Sequence, residues 1–262
     1  MRKRGLGRVV IAGALAMTGA ATATPSLAGA AEIDMFASLV AKLGEPERAR
    51  KVPAEEIAVY DGVLPGALLR FWADHGRGSY QEGAFWICDP RPFGPILREI
   101  FAGDAEFDAG RMSVVGYTAF GTMLIWDRVR KQVQVSLLTS TVFNVPAEYR
   151  INGQTEQPFS DDFTIATFIV GMRYFDEPLF RDALHRLGRL DEGEIYGFVP
   201  ALQLGGAFVS ENIHRMRLLE HASFIVQLEQ LKLTRLTPPE PPHFPYGRTE
   251  VIRALGPAEP RR

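Results

Sequence analysis

The chain has 262 residues, of which 46% are hydrophobic and 23% charged, and its formal net charge is −2 at pH 7. These values are typical of a globular protein with one large domain or two small ones, long enough to bury a core without disulfides. The near-neutral charge argues against nucleic acid or an anionic membrane as a partner. Cys88 is the single cysteine, which excludes an internal disulfide and a cysteine-based zinc site.

Residues 1–34 have the pattern of a secretory signal. A basic head precedes an apolar run of small residues, and Ala28-Gly29-Ala30 suits small-residue cleavage. The run is too short and too rich in glycine and alanine for a membrane span, so no stable membrane association is expected. If residues 1–30 are a real signal peptide, the chain is exported to the periplasm. In the alternative, Met35 is the true start, residues 1–34 are a mis-assigned leader, and the protein is cytoplasmic.

The first half predicts helices followed by strands. A helix over “LPGALLRFWADHG” is expected to end at Gly76, because glycine closes helices in the left-handed region. “GRGSYQEG” predicts a loop from its glycines, and “RPFGPILREIF” predicts a short helix. The runs “AFWIC”, “MSVVGYTAF”, “TMLIWD”, “QVQVSLL” and “TVFNV” are short and rich in β-branched and aromatic residues, which predicts mostly antiparallel strands.

The composition becomes polar at residues 146–158, which we take as a domain boundary. Beyond it, Ser160 is placed to cap one helix, and Pro178 and Gly188 are placed to begin and end the next. “EIYGFVPALQLGG” predicts a strand, a break at Pro200 and a turn, and “EHASFIVQLEQL” predicts a last amphipathic helix. “TPPEPPHFPYG” predicts an extended segment.

The fold expected is therefore α+β, with N-terminal helices and a mostly antiparallel sheet at residues 35–150. A smaller, helix-rich α/β C-terminal domain follows at 158–233, and a proline-rich tail occupies 234–262.

Nothing in the sequence predicts catalytic, cofactor-binding or metal-ligating residues. The five histidines lack ligand spacing, and neither a phosphate loop nor a G-x-S-x-G motif occurs. Asp191, Glu192 and Glu194 form an acidic cluster with three possible roles. They could be a solvated turn, an acidic patch that contacts a basic partner, or the acid–base pair of an enzyme working with a histidine.

Two sets of residues resemble known domains. “LPGALLRFWADHGRGSYQEGAFWICDP” and “YTAFGTMLIWD” are similar to the bacterial GAD-like domain, at positions that include Trp72, Gly76, Gly78 and Trp86. The stretch from “ALHRLGRLDEGEIYGFVPALQLGG” to “FIVQL” resembles the C-terminal domain of type VI secretion DNase-immunity proteins, the Tdi family. The matching positions include Tyr196, Gly197, Phe198, Pro200, Gly205 and Gly206.

The resemblance implies an immunity protein that binds and neutralises a DNase toxin encoded nearby, with no catalysis and no cofactor. Because such toxins attack cytoplasmic DNA, it also favours translation from Met35. Its motif positions suit architecture: Gly197, Gly205 and Gly206 are expected to allow tight turns or close backbone approach, and Tyr196 and Phe198 to alternate across a strand. A general protein-binding or regulatory module without a toxin partner is the alternative.

Overall fold

The computed structural model describes residues 35–145, 150–151, 154–155, 160–171, 178–237 and 248–256. The helices in these ranges are α1 (Met35–Leu43), α2 (Ala54–Ala58), α3 (Gly66–His75), α4 (Gly94–Ile100), α5 (Asp161–Gly171), α6 (Pro178–Leu187) and α7 (Leu218–Leu228). The strands are β1 (Glu47–Arg50), β2 (Arg77–Tyr80), β3 (Phe85–Ile87), β4 (Met112–Thr118), β5 (Thr122–Asp127), β6 (Lys131–Ser136), β7 (Thr141–Val145), β8 (Arg150–Ile151), β9 (Gln154–Thr155), β10 (Glu194–Phe198), β11 (Ile213–Arg217), β12 (Lys232–Thr237) and β13 (Arg248–Ala254). The leader at 1–34 and the proline-rich stretch at 238–247 lie outside the described residues.

Nine strands form one sheet in the order β1-β2-β3-β4-β5-β6-β7-β12-β13. The first seven form an antiparallel meander, β12 runs parallel to β7, and β13 returns antiparallel to β12. The remaining strands pair as two small hairpins, β8 with β9 and β10 with β11. The predicted α+β fold with a mostly antiparallel sheet is confirmed.

Both faces of the sheet are covered. Along β5, Met123 and Ile125 belong to the core on one face, whereas Leu124 and Trp126 belong to the core on the other. Successive strand residues point to opposite faces, so a strand covered on both sides reads as a continuous apolar run. Helices α1, α3 and α5 pack on the face of Leu124, and α4 and α7 pack on the face of Met123.

The C-terminal half shares these cores with the N-terminal half. Helix α5 contacts α1 and α3, α7 contacts α4, and β12 extends the sheet beyond β7. The polar stretch at 146–158 therefore separates two lengths of sequence that pack around one sheet. Strand β12 extends into the predicted tail at 234–262, and β13 lies within it. Leu255, just after β13, is 2% exposed within the core. The sheet extends into residues that the sequence assigned to the tail.

The residues predicted to begin or end helices α5 and α6 are found at those helix ends. The Ser160 hydroxyl accepts a hydrogen bond from the Phe163 amide (3.1 Å), α6 begins at Pro178, and the chain after it turns at Gly188 with φ +74°. The loop prediction for “GRGSYQEG” is wrong over β2. That segment pairs with β1 on one side and β3 on the other, so tertiary pairing overrides its glycine content.

Candidate functional site

Asp191 and Glu192 of the acidic cluster lie in the turn between α6 and β10, and Glu194 is the first residue of β10. Each of the three carboxylates faces an arginine. The ion pairs are Asp191 with Arg48 (2.6 Å) and Arg215 (3.4 Å), Glu192 with Arg50 (3.2 Å), and Glu194 with Arg215. Two of these arginines come from β1, at the edge of the large sheet. The cluster therefore joins the two halves of the chain.

The protonation of Glu194 does not suit a general acid. Burial raises its pKa, but hydrogen bonds from the Asp191 amide and the Arg215 guanidinium outweigh this and lower the pKa below its usual range. A catalytic acid at neutral pH needs the opposite shift. Within the described ranges, no three His, Cys, Asp or Glu side chains are grouped so that they could hold a metal ion.

The motif residues of the N-terminal half build the core and one sheet edge. Trp72 is fully buried with Arg77 over its ring (5.0 Å), and Trp86 stacks on Tyr117. A Cβ on Gly76 would lie 2.9 Å from the carbonyl carbon of Arg50, and one on Gly78 would lie 2.6 Å from the carbonyl oxygen of Glu47. Both glycines are needed because β1 passes too close for a side chain.

The motif residues of the C-terminal half fix a hairpin and a turn. Tyr196 and Phe198 both pack on Phe120, on one side of β10, which corrects the expectation that they alternate across the strand. They are two residues apart, and a strand repeats its side-chain direction every second residue. The Tyr196 hydroxyl donates a hydrogen bond to the carbonyl of Gly188, and burial raises the pKa of this phenol to about 12.

The three motif glycines differ in their surroundings. A close approach to backbone atoms occurs at Gly206, whereas the atoms nearest to Gly197 belong to the flexible side chain of Met216. A Cβ on Gly197 would lie 2.9 Å from Cε of Met216, and Gly205 has φ +80°. A Cβ on Gly206 would lie 2.8 Å from the carbonyl carbon of Pro200, which follows a cis peptide bond. Gly205 and Gly206 lie in a tight turn at 199–206, which is closed by a hydrogen bond from the Gly206 amide to the carbonyl of Ala201.

An open apolar groove of about 340 Å³ lies between that turn and α7. We call it the apolar groove, and its lining residues are Phe198, Val199, Pro200, Ala201, Leu204, Met216, Arg217, Glu220, His221 and Phe224. Val199 is 52% exposed, Leu204 58% and Phe224 44%, so large apolar side chains face solvent there. Phe208 stacks on Phe198 (5.1 Å) and extends the exposed apolar area.

Sequence reasoning missed these exposed side chains. Isolated surface apolar residues are normal, but a contiguous patch marks a site of interaction. Val199 and Leu204 lie in a glycine- and proline-rich turn, where polar residues are usual. Large apolar residues at such positions could have indicated exposed apolar side chains. His214 and His221, which a continuous helix would have aligned, lie instead on β11 and α7.

Three ionisable side chains lie at the rim of the apolar groove: Arg217, Glu220 and His221. Burial lowers the pKa of His221, so its neutral form is favoured. Among the described residues, neither Arg217 nor Glu220 forms an ion pair, whereas the neighbouring Arg215 is held by Glu194. The arrangement suits binding of an apolar group beside a charge.

No helix in the described part of the chain is both long and apolar enough to cross a membrane.

Comparison with known protein families finds one match in each half of the chain. Residues 34–139 match the family model of the GAD-like domain, and residues 156–229 match that of “T6SS immunity protein Tdi1, C-terminal”. Among solved structures, the crystal structure of Atu4351 from Agrobacterium tumefaciens has a TM-score of 0.69 and 23% identity, covering 85% of this chain and 99% of that chain. This likeness shows a shared fold. No curated protein matches the chain. The chain therefore contains a segment similar to the GAD-like domain, followed by a segment similar to the C-terminal domain of the type VI secretion immunity protein Tdi1.

Proposed function

We propose that this protein is an immunity protein that neutralises a DNase toxin of a type VI secretion system by binding it stoichiometrically. The observation that carries the proposal is the match of residues 156–229 to the Tdi1 C-terminal domain. The exposed apolar groove in the same domain supports it, because protein interfaces centre on desolvated apolar anchors. The toxin is expected to be encoded beside this gene, and neither nucleic acid nor a membrane is proposed as a partner.

The proposed mechanism is occlusion of the toxin, with no bond made or broken by the immunity protein. The paired carboxylates do not favour the alternative of an enzyme, because each is neutralised by an arginine. We retain contact between the Asp191, Glu192 and Glu194 carboxylates and a basic toxin surface as a proposal. Such contact would have to replace existing partners, among them Arg48 and Arg50.

We further propose that the protein acts in the cytoplasm and that translation starts at Met35. A toxin that cuts cytoplasmic DNA can be blocked only by an inhibitor in the same compartment. The leader pattern of residues 1–34 makes this proposal directly testable.

A rescue experiment tests the function and the compartment together. The toxin candidate encoded beside the gene is expressed in the cytoplasm of a sensitive host, with the full chain, the chain from Met35, or an empty vector. Survivors are counted and the integrity of plasmid DNA is followed on gels. Survival and intact DNA with the Met35 chain are expected. Rescue by neither chain, with both soluble, would leave the alternative of a binding module without a toxin partner.

A further inference from the structure

We propose that the apolar groove is the toxin-docking site, and that its occupant is a toxin segment with an aromatic or branched aliphatic anchor beside a carboxylate that meets Arg217. This inference rests on the proposed immunity function and adds the binding face and the chemistry of the partner segment.

Hydrogen bonds within the chain fix the turn that forms one wall of the apolar groove. The Gly206 amide donates to the carbonyl of Ala201 (3.1 Å), and the Val199 amide donates to the carbonyl of Asn212 (2.8 Å). The side chain of Gln203 donates a hydrogen bond to the carbonyl of Leu137 (2.8 Å), which links the turn to the residue that follows β6. Exposed apolar side chains on a fixed turn lose little conformational freedom on binding, which favours affinity.

The size and lining of the groove fit a protein side chain better than a small-molecule ligand. About 340 Å³ is near the lower limit of small-molecule pockets, which also contain several converging polar groups. Here the walls are apolar, and the charged groups, Arg217 and Glu220, are exposed. One or two large apolar side chains of a partner would fill this space, as anchors do at the centre of an interface.

The charge of the occupant follows from Arg217. This residue occupies the N-cap position of α7, makes no capping hydrogen bond through its side chain, and has no carboxylate partner in the described part of the chain. A cation at the positive end of a helix dipole is unfavourable, so an incoming carboxylate gains from both the guanidinium and the helix end. Glu220 lies in the first turn of α7, where its own charge is already stabilised.

The experiment measures the dissociation constant of the full chain for the purified toxin candidate encoded beside the gene. Leu204→Asp and Phe224→Ala alter exposed side chains on opposite walls of the groove, and Arg217→Glu reverses the rim charge. Val129→Asp is the matched control, because Val129 is 63% exposed in a turn outside the groove. Thermal unfolding of each variant confirms that the fold is retained.

Each groove substitution is expected to weaken binding roughly tenfold or more, with Val129→Asp within about twofold of the unaltered chain. The effect of Arg217→Glu should shrink at high salt. Groove variants that bind as tightly as the unaltered chain would overturn the docking site while leaving the immunity function standing. A tenfold loss with Asp191→Asn alone would transfer the contact to the acidic cluster. Failure of the unaltered chain to bind the candidate would overturn both proposals.

Discussion

Replacing Gly206 by alanine is expected to destabilise the turn that forms one wall of the apolar groove. The added Cβ would lie 2.8 Å from the carbonyl carbon of Pro200 and 2.9 Å from the carbonyl oxygen of Ala201. Non-bonded carbon atoms normally stay about 3.5 Å or more apart, and both obstacles are backbone atoms that cannot rotate away. The turn must therefore open, which also breaks the hydrogen bond from the Gly206 amide to Ala201.

The expected loss is the sum of two contributions. Forced backbone displacement costs about 1–3 kcal/mol, and the lost hydrogen bond adds about 1 kcal/mol. Gly206→Ala should therefore lower the free energy of unfolding by roughly 3 kcal/mol. Gly205→Ala is the matched control: its φ of +80° is strained for alanine, but no atom lies within 4 Å of the new Cβ. Its expected cost is about 1–2 kcal/mol.

Urea unfolding followed by tryptophan fluorescence measures both losses, provided that the two variants unfold with the same denaturant dependence. An equal or larger loss for Gly205→Ala would refute the close-approach argument. The two substitutions would then differ only through backbone dihedral preference.

Three further predictions concern Asp104, His221 and the C-terminal strand β13. Burial raises the pKa of Asp104, but hydrogen bonds from Arg253 and from backbone amides outweigh this and lower the pKa to about 2. The ionised carboxylate of Asp104 therefore stabilises the folded state at pH values above 3.8, its pKa in the unfolded chain. The difference in unfolding free energy between the unaltered chain and Asp104→Asn should become smaller as the pH falls from about 4 to about 2. A difference that stays constant over this range would contradict the prediction. Burial lowers the pKa of His221 below 6.5, so acid should destabilise the unaltered chain more than His221→Gln between about pH 7 and about pH 5.5, measured by urea midpoints. Deleting residues 248–262 removes a strand of the large sheet and the buried Leu255. The free energy of unfolding should therefore fall by more than about 3 kcal/mol. An unchanged melting temperature would instead show that the tail is dispensable for stability.

Prediction from sequence succeeded where the signal is local. Ser160, Pro178 and Gly188 act within one turn of their own helices, so their neighbours along the chain suffice to place the helix ends. The antiparallel meander from β4 to β7 was also readable, since each strand pairs with the next along the chain.

Strands that depend on distant partners were not predicted. Strand β1 has the sequence Glu-Arg-Ala-Arg, with no alternation of apolar and polar residues, and it is a strand because it lies against β2. Strand β12 pairs in parallel with β7, at a separation of about 90 residues in the chain, as in the pairing of Leu233 with Val142. Periodicity within a segment carries no information about such partners.

For the candidate site, the sequence by itself determined the backbone signature. The sequence predicts a strand, a break and a turn from four residues, Gly197, Pro200, Gly205 and Gly206. This is possible because the backbone conformations open to glycine and proline are intrinsic to these residue types. Only the tertiary structure decided what that turn presents. Packing against α7 makes it a groove wall with Leu204 exposed, and the approach of β1 gives Asp191 an arginine partner. Exposure and charge pairing are properties of surfaces brought together by folding, and a linear pattern does not contain them.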